Sequence, residues 1–100
     1  MYPNSNHKQL FNAILKIKSE KEAANFFRDL LTIGEINSAS ERWQIAKLLW
    51  STKLSYVEIA KKTGASTTTI TRVAHWLDHG MGGYQKILRQ LLPPKRYSRK

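Results

Sequence analysis

Apolar residues recur along the chain at intervals of three and four, the spacing that places side chains on one face of an α-helix. The first stripe combines Leu10, Ile14 and Ile17 and predicts a helix over residues 5–18. Two more stripes follow in the first half of the chain, and three shorter ones follow in the second half. No long stretch alternates apolar and polar residues with the period of two that is typical of a β-strand. The pattern predicts an all-α fold with about six helices.

Three of the predicted helices begin with a capping box, in which Ser or Thr is followed three residues later by Glu. The boxes are Ser19 with Glu22, Thr32 with Glu35, and Ser55 with Glu58. Gly64 marks the end of the short helix that follows Ser55, because glycine accepts the positive φ that closes a helix. Ser66 or Thr67 caps the next helix, and Pro93-Pro94 stops the last one. These signals set the boundaries of the expected helices.

The third predicted helix carries apolar residues on more than one side. They are Ile36, Ala39, Trp43, Ile45, Ala46, Leu48, Leu49 and Trp50. A helix of this kind is buried in a core or in an interface, and a partner chain would enlarge the modest core of a 100-residue protein. We therefore expect dimerisation helices at residues 5–51 within a single helical domain over residues 1–92. Phe26 and Phe27, like the two tryptophans, are expected in the core.

Charge is distributed unevenly between the two halves. The chain holds 17 Lys and Arg against 7 Asp and Glu, a formal net charge of +10. Residues 1–50 contribute 7 basic and 5 acidic side chains, whereas residues 51–100 contribute 10 and 2. This asymmetry is typical of a region that faces a polyanion such as nucleic acid, the alternative being a solvated basic surface. Residues 93–100 form a basic tail that either follows a phosphate backbone or solubilises a frayed end.

The segment from Tyr56 to Leu77 has the layout of a helix-turn-helix, in which two short helices meet across a tight turn. Ala60 supplies a small residue where the helices touch, and Gly64 lies four residues later at the turn. Thr63 stands where an aliphatic residue is more usual. We place this unit at residues 55–78, and a C-terminal helix follows it at residues 84–92.

The outward face of the second helix of this unit is short and polar. It consists of Ser66, Thr67, Thr68, Thr71 and Arg72. Short hydroxyl side chains allow close approach to a major groove, where they can donate to or accept from base edges. We expect the threonines at 67, 68 and 71 to read bases, and we expect phosphate contacts from Lys61, Lys62, Thr69 and Arg72. The alternative is a helical hairpin with a solvated, threonine-rich face.

Several of these residues resemble the helix-turn-helix of the Trp repressor family. They are Leu54-Ser55, Glu58, Gly64-Ala65 and Thr69-Ile70-Thr71-Arg72, with Leu30-Leu31-Thr32, Glu35, Arg42 and Leu48-Leu49 matching upstream. The match covers about residues 20–80, and the chain as a whole is most similar to the YerC/YecD branch of the family. The resemblance implies a transcriptional regulator of repressor type that forms an intertwined homodimer. It also implies a near-palindromic duplex operator, read by two helices about one DNA turn apart.

The resemblance also implies a ligand pocket, and there the sequence departs from the family. Arg42 and Arg72 match two arginines that sandwich the indole of a tryptophan corepressor, and Thr32 matches a threonine of that pocket. A glycine and a serine that admit the ligand are replaced by Val73 and Trp76, whose bulk is costly in a preformed site. We hypothesise that Trp76 stacks between the two guanidinium groups and that no free tryptophan is needed. The alternative is that Trp76 is ordinary core and both arginines face phosphates.

Other chemistry has little support. The chain has no cysteine, and His75 and His79 lack further ligands, so we expect no metal site. The sequence has no catalytic spacing, so we expect no enzyme activity. It also has no glycine loop after a strand, so we expect no nucleotide cofactor. The polar start, Met1 to Gln9, and the lack of a run of about 20 apolar residues predict a cytoplasmic protein without membrane partners.

Two rival functions remain. The first is a protein-interaction module, which would require apolar anchors on the face of residues 66–72. The second is binding of RNA or single strands, which favours exposed aromatic stacking platforms. The operator, the regulated genes and any small-molecule effector are left open by the sequence, as is the choice between activation and repression.

Overall fold

The computed structural model describes residues 1–92, and these form six α-helices with no strand among them. The helices are α1 (Ser5–Ile14), α2 (Glu20–Leu30), α3 (Ile33–Ser51), α4 (Tyr56–Thr63), α5 (Thr67–His79) and α6 (Gly83–Leu91). The all-α prediction with about six helices is confirmed. The basic tail at residues 93–100 lies outside the described residues. Over residues 1–92, every helix is too short or too polar to cross a bilayer.

Local capping determines where α3 and α4 begin. The N–H of Ser55 donates to Glu58 Oε1 at 2.8 Å, and the N–H of Glu58 donates back to Ser55 Oγ at 3.1 Å. Thr32 and Glu35 exchange the same two hydrogen bonds at the start of α3, at 2.8 and 3.1 Å. Each box satisfies two N–H groups that the first helical turn leaves without partners. The predicted boxes at Thr32 and Ser55 are confirmed. The box predicted at Ser19 is wrong in its return bond: Ser19 Oγ accepts from the N–H of Glu22, but Glu22 Oε1 accepts from the N–H of Lys18 rather than from that of Ser19.

The first helix is shorter than the apolar stripe predicted, because α1 ends at Ile14 rather than at residue 18. The N–H of Ile17 donates to the carbonyl of Ile14, three residues back, so this backbone is a tight turn rather than an α-helix. The N–H of Lys18 then donates to Glu22 Oε1 and already belongs to the start of α2. Apolar spacing continues across this turn and therefore does not reveal it.

The chain divides into two compact units, Met1–Ile36 and a second unit that begins at Asn37. All buried residues of the described chain lie in the second unit. In the first unit, Leu15 is 78% exposed, and the half-buried Phe26 and Phe27 contact each other edge to face at 5.6 Å. The first unit therefore has no buried core of its own, and the single domain expected over residues 1–92 stays a prediction.

The core of the second unit joins α3, α4, α5 and α6. It contains Ile45, Ala46, Leu49, Trp50, Ile59, Ala65, Ile70, Val73, Leu77 and Leu88. The rings of Trp43 and Tyr84 stack with centroids 6.3 Å apart, which places α6 beside α3. Gln85 Nε2 donates to the carbonyl of Leu77 at 2.8 Å and holds α6 at the end of α5. Burial of these apolar side chains stabilises α4 and α5 in one orientation.

Candidate nucleic-acid interface

A short turn joins α4 to α5, and the two helices pack against each other. Gly64 closes α4 with φ of +79°, and its N–H donates to the carbonyl of Ala60 at 2.8 Å. A side chain at this φ would be strained, so the predicted role of Gly64 is confirmed. The result is a helix-turn-helix arrangement with α5 as its second helix.

Thr63, the residue that departs from the usual aliphatic pattern, stabilises this turn by hydrogen bonds. Its Oγ1 donates to the carbonyl of Ile59 at 2.7 Å and accepts from the N–H of Ala65 at 3.2 Å. The hydroxyl thus satisfies a carbonyl at the end of α4 and an N–H in the turn. At this position Thr63 stabilises the turn by hydrogen bonds to the backbone, where an aliphatic residue would stabilise it by apolar packing.

The inner face of α5 is buried. Ile70 is fully enclosed, and Val73 and Leu77 are only 2% and 4% exposed. These three residues recur at helical spacing and attach α5 to the core of the second unit. Since one face of α5 is held inward, the opposite face must point to solvent.

That opposite face carries the predicted contact residues. Ser66, Thr67, Thr68, Thr71 and Arg72 are all exposed. Four of them line a shallow, open concavity together with His75 and Trp76. The structure thus brings the predicted base-reading side chains together on one accessible surface, which we call the α5 face.

The hydroxyl groups at the start of α5 differ in how they are used. Ser66 caps the helix by accepting from the N–H of Thr69 at 3.1 Å, and the two hydroxyls share a further bond at 3.1 Å. Thr71 Oγ1 donates to the carbonyl of Thr67 at 2.9 Å. Within residues 1–92, the hydroxyls of Thr67 and Thr68 have no hydrogen-bond partner. Thr69 is half-buried and serves the cap, whereas Thr67 and Thr68 are free to contact a ligand.

Positive charge flanks the α5 face. Lys61 and Lys62 are exposed in the last turn of α4, and Arg72 is exposed on α5. The first N–H groups of α5 have no intrahelical acceptors, and such groups attract anions at a helix N-terminus. The arrangement suits a polyanion laid across the start of α5.

One carboxylate lies near these cations, on the first turn of α4. The backbone and side-chain hydrogen bonds from Ser55 hold the pKa of Glu58 below its ordinary value of 4.5, and the charge of Lys61 lowers it further. Glu58 therefore stays ionised at neutral pH. Its main role is the cap of α4.

The residues predicted for a ligand pocket differ in their local surroundings. Thr32 caps α3 within the first unit. Arg42 is exposed, and its Nε donates to the carbonyl of Ser38, at 3.3 Å, on its own helix. Val73 is buried, whereas Trp76 is 55% exposed, with its ring edge-on to His75 at 4.9 Å. Within residues 1–92, the indole is therefore neither ordinary core nor enclosed between the two arginines, because more than half of its surface is accessible.

The structure adds His75 to the α5 face, although sequence reasoning considered it only as a metal ligand. Its spacing of four residues from Thr71 and three from Arg72 is the signal that places it there. Within residues 1–92, no three His, Cys, Asp or Glu side chains lie close enough together to hold a metal ion.

These features define a class of protein: a small, all-α, helix-turn-helix protein whose second helix presents hydroxyls and cations to solvent. The chain belongs to the Trp repressor family, since the family model described as Trp repressor protein matches residues 5–92. Members of this family are transcription regulators rather than enzymes.

Individual relatives agree with this assignment. The chain is 44% identical over 80 residues to the uncharacterised protein YerC of Bacillus subtilis strain 168, covering 80% of this chain and 76% of YerC. It is 34% identical over 76 residues to a Trp operon repressor homolog of Chlamydia caviae, covering 76% and 75%. A TrpR-like protein from Eubacterium eligens, solved by crystallography, matches with a TM-score of 0.84 and 45% identity over 89% of this chain and 91% of that one.

Proposed function

We propose that this protein is a homodimeric regulator that binds double-stranded DNA sequence-specifically through the α5 face. The observation that carries the proposal is the free pair of hydroxyls on Thr67 and Thr68, exposed at the start of a helix whose other face is buried. A major groove about 12 Å wide admits an α-helix, and hydroxyls there can reach base edges. The rigid attachment of α5 keeps these hydroxyls in a constant position.

The hydrogen bonds of the hydroxyls suggest what each can read. The O–H of Thr71 is already donated to the carbonyl of Thr67, so toward a base its oxygen is an acceptor. The matching partners in a major groove are the amino groups of cytosine and adenine. Thr68 retains both its donor and its acceptors, and its methyl group can also contact thymine.

Phosphate contacts would come from both sides of the turn. Lys61 and Lys62 end α4, Arg72 projects from α5, and the free N–H groups of Thr67 and Thr68 start α5. Such groups fix the register of a protein on the duplex without reading its sequence. Of the residues predicted for phosphates, Thr69 is the least accessible, because it is half-buried and holds the cap.

The first unit supports a dimer. It contains two amphipathic helices without a buried residue, and it leaves Leu15, Leu30 and Ile33 at 78%, 46% and 55% exposure. Apolar surface of this extent is typical of a face that another chain covers. A second copy of this chain would cover it symmetrically and present two α5 helices to a two-fold operator.

We further propose that DNA binding needs no free tryptophan. Val73 is packed into the core, and the bulk of Trp76 lies at a position that the family keeps small. In a dimer, an exposed indole of this size would occupy space that a ligand would otherwise take. The resulting shape would be competent for DNA without an effector.

The test is selection of bound duplexes from a random library with purified protein and no added ligand. A two-fold-symmetric site should be enriched. If only salt-sensitive general binding is found, a missing effector or an interaction module becomes the better reading.

Two variants separate base reading from phosphate contact. Thr68→Ala should relax preference at one position of each half-site by about 1–3 kcal/mol. Lys62→Ala should weaken all duplexes alike and reduce the salt slope by about one charge. Lys21→Ala, which removes an exposed charge from α2, is the matched control. An unchanged preference profile for Thr68→Ala would contradict the assignment of that residue.

A further inference from the structure

Two histidines continue the exposed row of α5 toward its C-terminal end. Because an α-helix turns about 100° per residue, His75 and His79 lie within about 20° of Thr68 around the helix axis. Both side chains are exposed, on the side opposite Ile70 and Leu77, which are buried. The row runs along α5 at intervals of four, three and four residues through Thr68, Arg72, His75 and His79.

Distance along the helix separates the two ends of this row. A rise of about 1.5 Å per residue places His75 about 10 Å and His79 about 16 Å from Thr68. A straight helix that reads bases with its first turn leaves the curving major groove, about 12 Å wide, before its last turn. With the first turn of α5 at the bases, as the proposed function has it, the two histidines would lie toward the sugar–phosphate backbone rather than at the base edges.

The imidazoles are close enough to influence each other. Their ring centroids are 5.2 Å apart at an interplanar angle of 44°. Two imidazolium charges at this separation would repel each other. A phosphate beside the pair would attract both charges and accept their N–H groups.

We propose that His75 and His79 form a proton-linked phosphate contact at the outer end of the DNA interface. The inference rests on the proposed function of α5 as the DNA-reading helix. Binding of DNA then draws protons onto the imidazoles, and affinity for DNA rises as the pH falls from 8 to 5.5.

The other charged groups near α5 are carboxylates, lysines and arginines. The helices packed against α5 contribute Glu58, Lys61, Lys62, Lys86 and Arg89, and α5 itself adds Arg72 and Asp78. Asp78 already has a partner. The chain has 3 histidines, so His7, on α1, provides the control for the pair. The amino terminus is common to all variants.

The experiment measures binding of a random-sequence duplex of about 30 base pairs by fluorescence anisotropy, at constant low ionic strength, from pH 5.5 to 8. Wild type and His7→Gln should gain about tenfold in affinity toward pH 5.5, because protonated imidazoles donate charge-assisted hydrogen bonds to phosphate. The double variant H75Q/H79Q should change less than about twofold. Glutamine at position 7 can keep the capping box of α1, which makes it a fair control.

The outcomes separate this inference from the proposed function. Absence of DNA binding at every pH would overturn both. Two outcomes would overturn the phosphate contact alone. In the first, H75Q/H79Q binds DNA with the same pH dependence as wild type; in the second, wild type binds DNA with no pH dependence. Circular dichroism at each pH checks that every variant is folded. If the double variant does not fold, the single variants H75Q and H79Q take its place, and each should lose about half of the pH dependence of binding.

Discussion

At the scale of single residues, Val73 and Trp76 bear on the proposed independence from free tryptophan. Val73 is 2% exposed and belongs to the core, so its extra carbons fill volume rather than line a cavity. Trp76 is 55% exposed and contacts His75, and within residues 1–92 Arg42 donates to the carbonyl of Ser38 rather than stacking on the indole. We propose that the added bulk of these two side chains disfavours a free ligand, since overpacking of a preformed site costs about 1–3 kcal/mol.

The corresponding prediction concerns free tryptophan. Isothermal titration of wild-type protein with L-tryptophan should give no micromolar binding, and addition of the amino acid should leave DNA affinity unchanged. Trp76→Ser, which removes the larger obstacle, should bind L-tryptophan more tightly than wild type does. Micromolar binding by wild type would contradict the proposal that no effector is needed.

At the scale of elements, capping determines the start of α4 and thereby the position of the turn. The Glu58 carboxylate accepts from the N–H of Ser55, and the pKa of Glu58 is lowered in the folded state by these bonds and by Lys61. A carboxyl group whose pKa is lower in the folded state stabilises the fold when the pH is above the pKa of the unfolded state, here 4.5. This stabilisation is lost as the pH falls through the pKa of the folded state.

We therefore expect Glu58→Gln to lower the thermal unfolding midpoint at pH 7 and to have little effect at about pH 3. The amide keeps an acceptor but not the charge, so the difference from wild type reports the ionised cap. Glu20→Gln is the control, because it removes an exposed negative charge from the first turn of α2, outside any capping box. Protein concentration is held constant, since a dimer makes the midpoint depend on it. A difference that persists at pH 3 would count against the carboxylate as the cause.

At the scale of the whole molecule, the two units have different burial. The second unit contains the described core, whereas Met1–Ile36 has amphipathic helices without a buried residue. Small units with so little buried surface are rarely stable alone. The proposed homodimer gives the first unit its missing partner.

A charge placed on this surface should disrupt the dimer. Leu15→Asp and Ile33→Asp should each shift sedimentation toward the monomer, because an aspartate would be buried at the interface without a partner. Loss of the second half-site should then weaken binding to a two-fold duplex by about tenfold or more. Asn12→Asp adds the same charge at an exposed polar position of α1 and should stay dimeric. If Leu15→Asp and Ile33→Asp both dimerise with the affinity of wild type, the dimer interface lies elsewhere.

Much of the fold followed from local signals. The boxes at Thr32 and Ser55 and the glycine at position 64 predicted the boundaries of α3 and α4, because these signals act within one helical turn. Apolar spacing predicted that Ile70 and Val73 face inward. The predicted end of α1 was wrong by four residues, because Ile17 continues the apolar spacing after the helix has ended.

The sequence by itself determined the helices, their caps and the polar outer face of α5, because periodicity and capping are encoded within a few neighbouring residues. It also determined the excess of positive charge in residues 51–100. Only the tertiary structure decided that Val73 is buried while Trp76 is exposed, and that Gln85 donates to the carbonyl of Leu77. Those outcomes depend on which side chains meet after the helices pack, and hydrogen-bond partners and covered surfaces exist only once they have done so.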